Sequence, residues 1–526
     1  MKSMKRIFLY ILAFAITVLA GCDKPTKEQK QADALFQKIT KIYTLNPDGS
    51  IDYQYQHELD LHSHLSFNRL YGETFIIYNP DHQEIKINRS ETETAGGKMV
   101  PSPDNAFNEV LPQFAEGAPP YHQLREMVVT HTGLEQNSTI HLDYNIHTDA
   151  GYKPFLMENT VLAEASPVRE LVIKVRFPKD KELNYQLFNA LENLNISNRG
   201  DMKEYQWVFK DLEAAPKDDH QPRYGEHLPR LTFSTTDFEQ AMNHLMDQFS
   251  YDLPSSVESG IQAILKNKTN RMDSILAIQD MVVNHINHFD VPLEHKGFSM
   301  HTNEQVLENN GGTTFEKTVL LASILKKSGF QAHPVTIIPD PFYSEKIGNL
   351  HSLEEYFVQV DDEEEKVYLS AIQEDAFNHV YNHAGENNVL LNDETGEVRV
   401  LDLEKPVSKQ HLSGNFSIRP SLNIQGEVKA TMTHCENPYL QMERNEEAAQ
   451  SVLSPGFPAA SVSGHAIEQM KPGETRLSYT ISHRLSPDQQ NGYRFVTIPE
   501  TQTGIDRWHL DALTAERETP DRKSVV

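Results

Sequence analysis

Two cysteines, Cys22 and Cys435, and 24 histidines are the side chains of this 526-residue chain best suited to nucleophilic or metal chemistry. Two thiols support neither a disulfide framework nor a thiolate zinc site. His285 and His288 fall at i and i+3 near a predicted helix end, with His295 and His301 downstream. That spacing puts two imidazoles on one helix face, where a metal can bridge them. With so many histidines, chance clustering accounts for the group, and neither metal nor cofactor is expected. His62 and His64 alternate on one face of a predicted strand and are read the same way. Asp361-Asp362-Glu363-Glu364-Glu365 reads as a solvated hairpin tip, with weak calcium binding as the minority reading. Cys435, beside His434, reads as a buried or neutral thiol in a β-domain. Thr313 and Glu316 have capping-box spacing, in which each side chain bonds the other's backbone N–H; Gly311 and Gly312 before them permit the turn into the helix.

Elements must position these groups, and their pattern changes twice along the chain. From about 41 to 230, apolar residues alternate with polar ones, as in Ile51-Tyr53-Tyr55-His57-Leu59, Ile140-Leu142-Tyr144-Ile146 and Leu171-Ile173-Val175-Phe177. Period two marks half-buried antiparallel strands, and turn residues such as Asn79-Pro80-Asp81 separate them. From 231 to 405 the pattern predicts helices over 238–249, 257–265, 274–286 and 315–327, the last stopped by Gly329. Strands follow over 334–338, 356–360 and 366–369. After 406 strands return, at 427–432, 475–482 and 493–498. The fold class predicted is multidomain α+β: an N-terminal β-sandwich-like domain (41–230), a central α+β module (231–405) and a C-terminal β-rich domain (406–526) that is either incomplete or ends in an exposed tail at Arg522–Val526.

The first 22 residues supply an address. Lys2, Lys5 and Arg6 precede an apolar run, Ile7–Leu19, too short to span a bilayer comfortably. Leu19-Ala20-Gly21-Cys22 resembles the bacterial lipobox, in which the signal peptide (1–21) is removed and the cysteine acylated. The resemblance implies a lipoprotein whose partner is the bilayer, through Cys22, with residues 22–40 as a tether. Cleavage removes three basic and no acidic residues, so the mature balance is 45 basic against 75 acidic, or −30. A charge of that sign argues against nucleic acid as a partner and leaves the lipid to hold the protein at an anionic leaflet.

The central module carries the most specific segment, Gly311-Gly312-Thr313-Thr314-Phe315-Glu316-Lys317, running through a leucine-rich helix to Gly329 and on to Ala332-His333-Pro334-Val335. It resembles the core of bacterial transglutaminase-like proteins, which belong to the papain-like cysteine enzymes. Phe75–Pro80, Gly97-Lys98 and Ser166–Glu170 look like the uncharacterised β-rich domain that often precedes that module. The resemblance implies a cysteine at the helix N-terminus, where the macrodipole and an imidazolium lower its pKa, a histidine on a following strand and an aspartate on the next. Carried over, these positions fall on Thr314, Glu355 and Ser370, so the triad is substituted.

Three roles fit this reading. The first is a lipid-anchored, non-catalytic envelope protein, facing the periplasm, whose cleft (lined by Thr313, Thr314, His351, Glu355 and Ser370) binds or scaffolds a peptide, protein or glycan. The second is an enzyme of altered chemistry, which requires Thr314, His351, Glu355 or Ser370 to converge. The third is a purely structural component of an envelope complex. Inner or outer membrane is left open.

Overall fold

The computed structural model describes residues 26–215, 221, 225–266, 268, 270–361, 366–373, 380, 383, 385–392, 395–403, 407, 409–433, 437, 461–470, 474–484, 488–490 and 493–495. Cys22, the signal segment, His434, Cys435, the acidic tip 362–365 and the terminal Arg522–Val526 lie outside these residues. Two units divide the chain: residues 1–112, 123–217 and 227–235, and residues 113–122, 218–226 and 236–526. The structure is β-rich, with several sheets. Among the described residues no helix is long and apolar enough to cross a membrane.

The first unit opens with a short helix, α1 (Lys27–Gln31), and fourteen strands: β1 (Ala34–Leu45), β2 (Ile51–Leu61), β3 (Glu73–Tyr78), β4 (Gln83–Glu93), β5 (Met99–Pro101), β6 (Phe107–Val110), β7 (Arg125–Thr130), β8 (Ser138–Thr148), β9 (Met157–Val161), β10 (Val168–Pro178), β11 (Asn184–Phe188), β12 (Leu194–Arg199), β13 (Met202–Leu212) and β14 (Arg230–Ser234). Helix α2 (Arg69–Gly72) lies between β2 and β3. Eight strands form one large sheet, ordered β12-β13-β10-β1-β2-β8-β4-β5, and two three-stranded sheets, β11-β14-β9 and β3-β7-β6, supply the rest. The alternation read from sequence is the reason: in β2 the odd positions Ile51, Leu59 and Leu61 are buried, and in β10 so are Leu171, Ile173, Val175 and Phe177. The β11-β14-β9 sheet contributes Leu231 and Phe233 to the main core around fully buried Trp207. The β3-β7-β6 sheet contributes Ile76 and Val129, against Leu142 and Tyr144 of the large sheet.

Two expectations are corrected here. β1 begins at Ala34, inside the stretch 22–40 expected to be a tether, because Ala34, Leu35, Phe36 and Ile39 are core residues that pair with β2. β1 also runs parallel to β10, with Ile39 opposite Leu171, where antiparallel pairing was expected throughout.

The second unit begins its continuous part with helices α3 (Phe238–Met246), α4 (Ser255–Leu265), α5 (Arg271–His285), α6 (Asn303–Glu308) and α7 (Thr314–Lys327). Two-residue strands β15 (Asn287–His288) and β16 (Gly311–Gly312) pair in parallel just before α7. A five-stranded antiparallel sheet follows, ordered β19-β18-β17-β20-β21, from β17 (Gln331–Ile338), β18 (Glu355–Asp361), β19 (Lys366–Leu369), β20 (Asn387–Asn392) and β21 (Glu397–Leu401). Asp361 faces Lys366 across the antiparallel pair β18 and β19. Helix α7 is buried nearly all round, and Leu320, Leu321, Ile324 and Leu325 pack with Val358, Val360 and Leu369 in one core. It ends where Gly329, at φ +89°, turns the chain toward β17. A four-stranded sheet, ordered β22-β23-β25-β24, comes from β22 (Lys409–Ile418), β23 (Asn423–Thr433), β24 (Ser461–Met470) and β25 (Glu474–Arg484). The last hairpin pairs β26 (Asp488–Gln490) with β27 (Tyr493–Phe495); the end of the strand expected over 493–498 lies outside the described residues.

Candidate functional site

The site is built around the N-terminus of α7. The predicted capping box is present: Thr313 Oγ1 accepts from the Glu316 N–H at 3.5 Å, and Glu316 Oε2 accepts from the Thr313 N–H at 2.8 Å. Thr314 therefore occupies the first helical position, where backbone N–H groups lack internal partners and the helix end is positive.

Lys317 and the short strand pair bring a histidine to this hydroxyl. Lys317 Nζ donates to the Ile286 carbonyl at 2.6 Å, tying α7 to the chain leaving α5. The next two residues pair with Gly311 and Gly312, which sets His288 Nε2 2.8 Å from Thr314 Oγ1. Burial lowers the Lys317 ammonium to about 8. Burial, then the Lys317 charge, also depress His288, against an opposing pull from Asp290. His288 is therefore a neutral imidazole near pH 7, and its tautomer decides which atom of the pair donates.

Opposite Thr314 a cavity of ≈ 290 Å³ opens, lined among others by Asp290, Glu294, Phe298, His351, Glu354 and Tyr356. His351 Nδ1 lies 2.8 Å from Glu294 Oε2, and its ring meets Phe298 edge to face at 5.1 Å. Phe298 is buried at φ +59°, a left-handed conformation that a bulky side chain adopts at a cost of about 1–2 kcal/mol. Tyr356 stacks on Phe315 with centroids 4.7 Å apart.

A buried ionic network lies behind the helix N-terminus. Lys296 Nζ bonds Glu316 Oε1, and the His301 N–H donates to the same oxygen at 2.8 Å. The Tyr121 hydroxyl reaches Glu316 at 3.1 Å and accepts from Lys296 Nζ at 3.1 Å. Burial pushes the Glu316 carboxyl up, but hydrogen bonds from His301 and the Lys296 charge outweigh it and hold the group well below the usual carboxylate range. Burial and the Glu316 charge raise the Tyr121 hydroxyl far above its ordinary value. Burial lowers Lys296, with Glu316 opposing. Tyr121 comes from the strap 113–122, which the chain lends to this unit, and on the same strap Phe114 stacks on His295 with centroids 5.4 Å apart.

The expected site residues divide. Thr313, Thr314 and His351 all line this cavity. Glu355 does not: Glu354 and Tyr356 face the cavity, and period two turns Glu355 to the other side of β18, where it meets His383 Nε2 at 3.3 Å. Ser370 is buried away from it, its hydroxyl accepting from the Ile372 and Gln373 N–H groups at 3.2 Å. The expected convergence of Thr314 with His351, Glu355 and Ser370 is thus corrected: His351 is bonded to Glu294, and His288 is the histidine on Thr314.

The metal readings change too. α5 ends at His285, so His288 sits on β15 and shares no helix face with it. His62 follows the end of β2, where its Nδ1 lies 3.1 Å from the Ala32 carbonyl, and His64 lies in a 3-10 turn, so the two share no strand. Among the described residues no group of three or more His, Cys, Asp or Glu is placed to hold a metal ion. Sequence reasoning missed Tyr121, Lys296 and the second role of Glu316, because nothing local to Tyr121 points to a partner 195 residues away.

Fold and site together define an α+β module in which a helix N-terminus, presenting a hydroxyl beside an imidazole, faces a cleft. Residues 47–216 match DUF3857, a domain of unknown function with solved structure. A crystal structure from Parabacteroides distasonis, described as a "putative protease", superposes with TM-score 0.66 at 24% identity, covering 89% of this chain and 94% of that one. At that identity the likeness shows the fold. No curated protein matches the chain.

Proposed function

We propose that this chain is a bacterial envelope lipoprotein, anchored through acylated Cys22, whose transglutaminase-like domain binds or scaffolds a peptide, protein or glycan segment without thiol chemistry. The observation that carries the reading is the cleft at the start of α7, kept open with Thr314 where that family places its nucleophile. Glu355 and Ser370, at the other two triad positions, are engaged outside that cleft. The β-sandwich-like reading of the first unit, backed by two small sheets, belongs to the same proposal.

The test is affinity capture of residues 23–526 from envelope extracts, with cross-linking from a photoreactive residue at Tyr356. Cross-links from this position to a captured partner support the reading. Turnover of a peptide or glutamine-donor substrate that disappears in Thr314→Ala overturns it. Such turnover would favour a second reading, an enzyme of altered chemistry in which His288 serves as base to Thr314 Oγ1. The 2.8 Å contact between them, and the protease name given to the structure from Parabacteroides distasonis, support that alternative.

A further inference from the structure

His57 lies near the end of β2, on the core face of the large sheet, and His131 follows β7, the central strand of the β3-β7-β6 sheet. Their rings meet at a 64° angle with centroids 6.1 Å apart. The two residues are 7% and 4% exposed. Each ring has one partnered nitrogen: His57 Nδ1 lies 3.3 Å from the Tyr55 hydroxyl, and His131 Nε2 lies 3.0 Å from Thr74 Oγ1. The remaining atoms, His57 Nε2 and His131 Nδ1, are buried without a partner. A buried polar atom in that state is destabilising, because it has given up its bonds to water without replacing them. The pair is therefore a weak point where the two sheets meet, in a contact where Ile76 and Val129 pack on Leu142 and Tyr144.

Tyr55 faces His57 from its own strand, and His141 approaches from β8. Glu93 of β4 lies 3.5 Å from His141 Nε2. Among the described residues neither His57 nor His131 is within ion-pairing distance of a carboxylate.

We propose that the His57–His131 pair is an acid-sensitive latch: the β3-β7-β6 sheet stays packed on the large sheet while both rings are neutral, and is released when they are protonated. Burial, followed by the neighbouring His131 and His141, lowers His57 to about 3. Burial lowers His131 to about 4. A solvated imidazole has a pKa of about 6.5. As pH falls below that value, the open form takes up protons that the closed form cannot, so opening becomes more favourable. Between pH 7.5 and 5.0 the opening constant rises on the order of tenfold for each histidine that becomes solvated.

The latch is tested by hydrogen exchange on the full chain at pH 7.5 and 5.0, corrected for the intrinsic pH dependence of exchange. The expected result is a loss of protection of at least about tenfold in residues 73–78 and 125–130, with residues 168–178 and 202–212 keeping theirs. In His57→Gln and His131→Gln, which remain neutral, the change is expected to shrink by about that factor per histidine. Unchanged protection in the native chain at pH 5.0 overturns the proposal. So does an equal loss in all four segments, or the same loss in both variants. Where a variant fails to fold, the comparison of segments within the native chain decides.

Discussion

At the scale of single residues, the informative substitution is the one already present at position 314. A hydroxyl stands at the helix end, 2.8 Å from a neutral imidazole. Restoring sulfur there gives a direct probe of that environment. In Thr314→Cys made in residues 23–526, with Cys435→Ser to remove the remaining thiol, iodoacetamide labelling is expected to follow an apparent pKa well below the ~8.5 of free cysteine, because the helix N-terminus and His288 both favour the thiolate. Labelling that rises only near that value would show the site to be electrostatically ordinary. Glu316 allows a stability prediction. Its carboxylate is the counter-charge to buried Lys296. Glu316→Gln strands that ammonium and is expected to destabilise the second unit by about 3–5 kcal/mol. Pairing it with Lys296→Met is expected to recover much of the loss, and urea unfolding of the three variants checks both.

At the scale of elements, close approaches between strand, helix and cleft wall leave little slack. A Cβ on Gly311 would lie 2.2 Å from Phe289 Cζ, in the ring that backs the strand carrying His288. Gly311→Ala is therefore expected to cost about 1–3 kcal/mol and to displace His288 from Thr314, read by thermal unfolding and by the His288 ring resonances in NMR. Much at this scale was legible in the sequence. The capping box at Thr313, the apolar α7 and the Gly329 stop depend on neighbours three or four residues apart, and their periodicity is written locally. The face of β18 was not legible. A reading that puts the functional position on Glu355 instead of Glu354 or Tyr356 differs by one residue, and in a strand one residue reverses the side. Nor was His288 visible as the partner of Thr314, because its place depends on β15 pairing with β16, whose partners are 24 residues apart with a helix between them.

At the scale of the whole molecule, the two units carry buried histidines of opposite sign. In the first unit, His57 and His131 have folded pKa values below the unfolded value of about 6.5, so the unfolded chain binds more protons and stability falls as pH drops below 6.5 toward 4. In the second, burial lowers His383, but its bonds to Glu355 and Glu386 outweigh that and raise it. Its contribution is complete below about 6.5 and fades as pH rises through the folded value. Calorimetry from pH 7.5 to 5.0 is expected to lower the unfolding temperature of the first unit, with His383→Gln removing an acid-side gain in the second. No effect of His383→Gln would contradict this assignment. The strap 113–122 adds a consequence for synthesis. Tyr121 leaves the ribosome 175 residues before Lys296 and 195 before Glu316. At ordinary elongation rates that is a wait on the order of ten seconds or more. By its end the first unit has all its strands up to β14, while until then the tyrosine meant for the second has no binding site. Translation order thus leaves an aromatic loop uncovered on a half-made protein, and a fragment beginning at residue 236 never receives it.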